Sequence, residues 1–583
     1  MLEEKKSLLG YLLCTPGEKD RVFVREMEEN QNVLEYTFQT LINSACNLGQ
    51  SLQNEEEWGQ NIPLLMDTSY DFLRSFFGVL IAKKVCVPIH TTANEETIGF
   101  CLKKVQAKCV IVTKPWLYRK LVAVDYVRKH VHTILASPEV IAEKALPSRH
   151  INIYDIFAQP QAFEQSQNYI SQIVSQAQPD DPLQVVFTSG TTGEPKGAIL
   201  SHRNVIACVA RAANHLKINS DYRTLTFLPL SHVMGQNEVF IALLTRAIVQ
   251  IVSRDTLLHG LKTFKPNILV SVPRVYQAVH QGIQKKLRSK PIARKLIDFC
   301  VNVHTASKRG FWPKRILCKL FTKTIGHLLT AKVRDGIGKF NLMATAGAAC
   351  PEHVYDFFEA IGMPLTNAQG LTEVSGAIIY NKPNETLRGS IGYPLPGVEV
   401  RIDEDGEILM KGDPVFKGYY EEPEANKNAF TSDGWFRTGD LGRIEQINGK
   451  PYVFLVGRKK EIVVLATGEN IPPVQIEEKL LRYDLIYQAV LVGDGKPRLG
   501  ALIVPNNGNY NNPNLRAEIS KIIQEVNTQM DGCGKIGNFE ILPEPFTVEN
   551  GMLTPTMKVK RLAVFERYKN LIGQLYERAA EAS

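Results

Sequence analysis

The chain has 583 residues and a net charge of +8, with 44% hydrophobic and 22% charged residues. That length exceeds one ordinary core and suggests roughly three or four structural units, and the composition is that of a globular rather than a disordered chain. No run approaches the ~18 to 20 apolar residues of a membrane span, and the opening Met1-Leu-Glu-Glu-Lys-Lys lacks the long apolar core of a signal peptide.

Residues 61–113 alternate in the α/β manner. Ile62–Met66, Val85–Ile89 and Cys109–Thr113 read as strands, with Tyr70–Ala82 and Glu95–Val105 as helices between them. Strands separated by helical patterns predict parallel pairing and a doubly wound sheet. The apolar run Val185-Val186-Phe187 then feeds the loop Thr188-Ser-Gly-Thr-Thr-Gly-Glu-Pro-Lys196-Gly197, and a helix start is read at Ser201. The α/β pattern resumes with strands expected at Leu225–Leu228, Ala247–Val252 and Ile268–Val272.

Between Lys285 and Lys339 fifteen Lys/Arg face two acids, Asp298 and Asp335; this segment carries about +13 and leaves about −5 on the rest of the chain. Leu296, Ile297, Phe299, Phe311, Trp312 and Ile316 are interleaved with the charges. Two readings fit: a solvated helical face over core positions, or contact with an anionic membrane surface. No helix-turn-helix, zinc or RNA-binding signature supports nucleic acid.

From about Arg388 the pattern changes to short alternating strands at Val398–Ile402, Glu407–Met410, Trp435–Thr438 and Tyr452–Val456, a small β-rich subdomain over about 388–456. The last part has a hairpin (Ala489–Val492 with Ala501–Val504) and helices near Leu515–Met530 and Leu562–Tyr576. Ten cysteines, scattered from Cys14 to Cys533 without a Cys-x-x-Cys pair, argue against zinc and disulfides and for a reducing cytoplasm.

The glycine loop has a clear physical use. Its glycines let backbone N–H groups turn toward a phosphate, its hydroxyls add donors and Lys196 adds charge. It is not a Walker A loop, which ends in Gly-Lys-Ser/Thr; alone, it fits a mobile surface loop equally well. Further segments follow in order: Leu228-Pro-Leu-Ser-His232-Val, Ala346-Gly347-Ala348-Ala-Cys350, Gln369-Gly370-Leu-Thr372-Glu373, Phe416-Lys-Gly-Tyr-Tyr420, Trp435-Phe-Arg-Thr-Gly-Asp440, Gly457-Arg458-Lys-Lys460-Glu461, Gly468-Glu-Asn-Ile-Pro-Pro473 and Gly551-Met-Leu-Thr-Pro-Thr-Met-Lys558-Val-Lys-Arg561.

Loop and segments together resemble the motifs of the adenylate-forming enzymes, the superfamily of acyl-CoA synthetases, peptide-synthetase adenylation domains and luciferases. The resemblance implies an α/β fold: a large N-terminal domain of doubly wound sheets with the β-rich subdomain (1–456), then a small mobile α+β C-terminal domain (457–583) hinged at Lys460. It implies that Thr188, Ser189, Gly190, Thr191, Thr192, Gly193 and Lys196 grip the ATP phosphates, and that Gly347, Ala348, Gln369 and Gly370 lie against adenine. Thr372 would donate to the α-phosphate, Glu373 would hold Mg²⁺, Asp440 and Arg458 would hold the ribose, and His232 would border the acyl pocket. Lys558 would serve adenylation, and Gly468 would line the CoA tunnel after rotation.

One position departs from the pattern. The family has an aromatic residue where this chain has Gln369; a lost stacking contact is worth on the order of 1–3 kcal/mol, which predicts weakened rather than abolished ATP binding. The turn ending in Cys350 is also unusual.

The segments around Gly468 and Lys558 look like the long-chain fatty acyl-CoA synthetases, including the bubblegum type. The implied reaction activates a fatty acid with Mg·ATP and transfers it to CoA; of the two readings of 285–339, contact with an anionic membrane suits an enzyme that draws such a substrate from a bilayer. Two other readings stay open: a ligase delivering to a carrier-protein thiol, and a non-catalytic fatty-acid or membrane-binding scaffold with a degenerate nucleotide site.

Overall fold

The computed structural model describes residues 2, 4–15, 17–143, 145–188, 194–309, 330–331, 333, 338–347, 350–363, 365–383, 386–506, 510, 512–530, 532–548, 550–554 and 558–581. Two large sheets dominate. The seven-stranded sheet runs Arg149–Asn152, Thr133–Ala136, Cys109–Val112, Asn61–Leu65, Val85–Pro88, Pro182–Thr188, Lys196–Ser201. All its neighbours are parallel except the last pair. The nine-stranded sheet has a parallel centre, Leu365–Leu371, Leu342–Ala346, Ile268–Ser271, Arg223–Thr226, Ile248–Ile251 and Val22–Met27, with antiparallel strands at both edges. Buried strands of this kind read as short Val/Ile/Leu runs, which is why the α/β pattern was legible.

The helices Phe38–Asn54 and Tyr70–Ile81 pack on each other within the core that spans both sheets. They approach closely because two glycines face the contact. A Cβ on Gly49 would lie 2.5 Å from Ile81 Cγ2, and one on Gly78 would lie 2.8 Å from Leu48 Cδ2.

Two local expectations shift. The glycine loop does not lead straight to a helix: Lys196–Ser201 is a strand that pairs antiparallel with Pro182–Thr188, so the loop closes a hairpin. The helix His202–Leu216 then starts from a capping box between Ser201 and Asn204. The strand expected at Leu225–Leu228 is Arg223–Thr226. The Thr68 hydroxyl donates to the Leu228 carbonyl (2.9 Å) and accepts from Leu230 N–H (3.2 Å), which draws the segment out of the ladder.

The β-rich segment forms a four-stranded antiparallel sheet, Val398–Ile402, Glu407–Gly412, Phe436–Ile447 and Lys450–Arg458, its last two strands longer than expected. In the C-terminal part, Ile486–Val492, Leu499–Pro505 and Ile536–Ile541 form a separate three-stranded sheet covered by helices. The expected last helix is two, Arg561–Arg567 and Lys569–Glu581. No described helix is long and apolar enough to cross a membrane, and the eight described cysteines are free.

Candidate active site

In open α/β sheets, ligands bind outside the carboxyl ends of the strands. The sequence-selected residues gather at such an edge. Thr188 ends its strand, Gly347 follows Leu342–Ala346, and Thr372 and Glu373 follow Leu365–Leu371. His232 starts the helix Val233–Thr245 a few residues past Thr226.

Thr188 and Lys196 face each other across the hairpin, and the Thr188 hydroxyl donates to the Lys196 carbonyl at 3.3 Å. Ser189, Gly190, Thr191, Thr192 and Gly193 lie outside the described residues, as does Ala348. The Lys196 ammonium sits 5.4 Å from the centre of the Tyr419 ring, a cation–π contact. The Tyr419 hydroxyl donates to Glu373 Oε1 at 2.9 Å. Phe416 N–H also donates to the Glu373 carbonyl at 2.8 Å. Tyr419 therefore ties the loop lysine to the candidate metal carboxylate. The sequence offered a signal for it, the Phe416-Lys-Gly-Tyr-Tyr segment, but no role.

Gln369 is half-buried in its strand, one residue before a register shift at Gly370. The shift needs glycine: a Cβ at 370 would lie 1.6 Å from the Gly376 carbonyl oxygen. Gly347 takes a left-handed φ of +84° directly after its strand. Cys350 is buried, and burial pushes its thiol up to about 12, so it is a packing residue rather than a nucleophile.

Asp440 and Arg458 are partners across the antiparallel strands Phe436–Ile447 and Lys450–Arg458. Arg458 Nε lies 3.0 Å from Asp440 Oδ1; the Asp440 side chain is 6% exposed and that of Arg458 is 37% exposed. Burial raises the Asp440 pKa, while the charges of Arg458 and Lys558 pull it down.

Lys558 reaches the same cleft from the C-terminal part. Its charge is felt at Asp440 and at His232, and it in turn feels Arg458, Asp440, Glu461 and Glu373. Water reaches its side chain, yet protein atoms crowd round it in the cleft. That crowding and Arg458 lower its pKa, and the three carboxylates oppose them. Lys558 stands at the base of a small hairpin: Thr554 N–H donates to the Lys558 carbonyl at 2.7 Å, and Lys558 N–H donates to the Thr554 hydroxyl at 3.0 Å.

Arg561 fixes that hairpin. It makes two bonds to Glu477 (2.8 and 2.5 Å) and a third to Glu461 (3.3 Å), and its side chain is only 11% exposed. Glu477 is buried and also accepts from Leu491 N–H at 2.7 Å. Lys460 lies in a single 3-10 turn, Lys459–Glu461, next to Glu461. Gly468 sits at φ +83° on the turn between Val463–Val464 and Asn470–Ile471. The structure thus brings Glu373, Asp440, Arg458, Lys558 and His232 together and leaves Gly468 on a separate turn.

His232 caps its helix: Met234 N–H donates to Nδ1 at 3.2 Å. Burial, then His90 and Lys558, hold its pKa down to about 3. It is a neutral imidazole, and its accepting Nδ1 places the proton on Nε2. Behind it, between this helix and the parallel sheet, lies a cavity of about 70 Å³ lined by Met234, Ile241, Ala242, Ala344, Ala346 and Ala368 among others. The slot is narrow despite the small residues on the sheet, because Met234 and Ile241 face them from the helix; ligand sites commonly enclose ~300–1,000 Å³, so a bulky guest needs Met234 or Ile241 to move.

One other group of potential ligands, His304, Asp356 and Glu359, converges among the described residues. Arg388 bridges both carboxylates (3.3 and 2.9 Å) and makes it an internal ion-pair cluster.

Comparison with known proteins gives this arrangement a context. The profile of the AMP-binding enzyme family matches residues 17–420, and that of the AMP-binding enzyme C-terminal domain matches 460–580. A Mycobacterium bovis protein named long-chain-fatty-acid–CoA ligase FadD15 is 30% identical over 551 residues, 89% of this chain and 88% of its own. An Arabidopsis thaliana protein named long-chain-fatty-acid–[acyl-carrier-protein] ligase AEE15, chloroplastic, is 28% identical, over 89% of this chain and 79% of its own. Among solved structures, the AMP complex of the A-PCP didomain of a Segniliparus rugosus carboxylic acid reductase shares the fold. Its TM-score is 0.75 at 18% identity, over 100% of this chain and 83% of its own.

Proposed function

The chain belongs to the AMP-binding enzyme family, and from that premise we propose that it activates a long-chain fatty acid with ATP and transfers the acyl group to CoA, releasing pyrophosphate and AMP. The names of similar proteins support the acid and the acceptor. The observation that carries the reading is the convergence of Lys558, from the C-terminal part, on the Asp440–Arg458 pair and Glu373.

A carboxylate is already ionised at neutral pH, so its attack on the α-phosphorus needs no base. An acyl–oxygen–phosphorus bond forms and the bond to pyrophosphate breaks. The protein's work is to align two anions and neutralise their charge. In this reading Lys196 and the loop 188–193 hold the β- and γ-phosphates, and Thr372 donates at the α-phosphate. Asp440 accepts from the ribose hydroxyls, Arg458 orients Asp440, and Lys558 lies at the reacting carboxylate and phosphate. His232 Nε2–H donates toward the acid at the mouth of the cavity.

Glu373 fits Mg²⁺, because Tyr419 occupies Oε1 and, among the described residues, Oε2 makes no hydrogen bond; a hard cation takes such an oxygen. When bound, the ion supplies charge neutralisation on the phosphates. Rotation about Lys460 would carry Lys558 and its Arg561 clamp out of the cleft and bring Gly468 in. A thiol could then attack the acyl carbon and expel AMP.

The acid-dependent step and its acceptor are tested together by AMP release across C2 to C20 acids, with and without CoA. Release that grows with chain length and consumes CoA supports the ligase. Exchange of pyrophosphate without CoA consumption supports delivery to a carrier thiol, as the name of the plant relative suggests. No acid-dependent release at millimolar Mg·ATP would leave a binding scaffold.

The helices Pro273–Arg288 and Pro291–Arg309 suit peripheral membrane contact. Ile297 and Cys300 are buried as core, but Ile292 is 77% exposed and Leu296 39% exposed beside Lys290, Arg294 and Lys295. Phe311, Trp312 and Ile316 lie outside the described residues.

A further inference from the structure

The wall of the cavity behind His232 carries one group that an apolar chain does not explain. Glu238 lies on the same helix, six residues beyond His232 and therefore about 9 Å along its axis. It lines the cavity, and only 6% of it is exposed. Its Oε1 accepts from the Thr224 hydroxyl at 3.0 Å, but Oε2 has no hydrogen-bond partner.

A second orphan lies beside it. Sheet alternation puts Thr226 on the same face as Thr224, and its fully buried hydroxyl is also without a partner. The Thr226 side chain comes near enough to Glu238 to temper its acidity, without a well-formed hydrogen bond. Such buried orphans are uncommon, and each costs about 1–3 kcal/mol when left unpaired.

We propose that Glu238 Oε2, backed by the Thr226 hydroxyl outside the lining, forms a polar subsite on the wall of the acyl cavity that binds a hydroxyl group carried along the chain of the substrate acid. This rests on the activation of an acid at the cleft proposed above. The chemistry of the corner selects a neutral partner. Burial pushes Glu238 up to about 8, so at neutral pH it holds its proton and offers both a donor and an acceptor. No charged side chain is among the groups that set its acidity; Thr224, Thr226 and the Val270 backbone are the neighbours that oppose burial. A substrate hydroxyl in the cavity can accept from the Glu238 carboxylic acid on its wall, which pairs the orphan Oε2. A plain alkyl chain would leave Oε2 unpaired.

The test compares kcat/KM for acid-dependent AMP release with unsubstituted C8 to C16 acids and with the same acids monohydroxylated at successive carbons. The wild type, Glu238→Gln and Glu238→Leu are measured side by side. A site built to hydrogen-bond a hydroxyl discriminates against the analogue lacking it, and one orphan predicts about a ten- to hundredfold preference.

The expected result is such a preference at one mid-chain position in the wild type. It is retained by the amide, which keeps a donor and an acceptor, and reversed by leucine. Leucine removes an unpaired polar group and so should not unfold the protein; a melting curve checks this. Preference of the wild type for the unsubstituted acid at every position, with leucine leaving the ratio unchanged, overturns the subsite and leaves a trapped water as its occupant. Should no acid support AMP release, the activation reading fails. Calorimetric binding of the same acid pairs to the three proteins then still decides the subsite, by the presence or absence of the same reversal.

Discussion

Replacing Asp440 by asparagine tests the heart of the proposed nucleotide site. The carboxylate is 6% exposed, and its only ion-pair partner among the described residues is Arg458, at 3.0 Å. Asparagine keeps the shape and removes the charge. Hydrogen bonds to a charged acceptor contribute about 1.5–3 kcal/mol each, and neutral ones about 0.5–1.5. Two ribose bonds therefore lose roughly 2 kcal/mol together, which is about a thirtyfold weaker ATP affinity.

A loss of that size could also come from disturbing Arg458, so the assay is a cycle. The affinities of wild type and Asp440→Asn are measured for ATP and for 2′,3′-dideoxy-ATP by calorimetry. If Asp440 reads the diol, removing the hydroxyls and removing the charge overlap, and the variant loses little further affinity for the dideoxy nucleotide. Contacting groups show such coupling, whereas independent ones add. Losses that simply add would refute the assignment of Asp440 to the ribose.

Lys558→Ala should lower acyl-AMP formation by about 10²–10³ while sparing thioester formation from supplied acyl-AMP, both read by single-turnover chromatography; equal losses would remove Lys558 from the first step alone. Arg561→Met should destabilise the C-terminal part by about 3–5 kcal/mol, because it leaves the Glu477 carboxylate buried without its cation, with a lower melting temperature and a larger loss in adenylation than in thioester formation. Charge reversal at Lys290, Arg294 and Lys295 should abolish co-sedimentation with anionic vesicles and leave binding to neutral vesicles, if any, unchanged.

Much of the fold could be read because its code is local. The strands Asn61–Leu65, Val85–Pro88 and Cys109–Val112 are short apolar runs between amphipathic helices, a pattern that buried parallel strands impose. The hairpin strand Lys196–Ser201 hid behind Pro195 and Gly197, turn residues by composition, although its pairing with Pro182–Thr188 is decided by a partner outside the local window.

The site divides the same way. Asp440, Arg458, Glu373 and Lys558 stand in segments whose order is a pattern, so they could be chosen before any geometry was known. Tyr419 and Arg561 stood in the same segments without a role, since a cation–π contact with Lys196 and a clamp on Glu477 are properties of the folded chain.

Glu238 gave still less sign of itself. In Val233–Thr245 it is one acid in a mostly apolar helix, and such an acid is ordinarily placed on the solvent side. Here both faces of the helix are buried, and an acid with no cation beside it has to remain protonated or find a guest. The cost of an unpaired polar atom in an otherwise alanine-rich slot would be removed by any Glu238→Leu change. Its presence is therefore easier to reconcile with recognition of a polar substituent than with the packing of a plain chain.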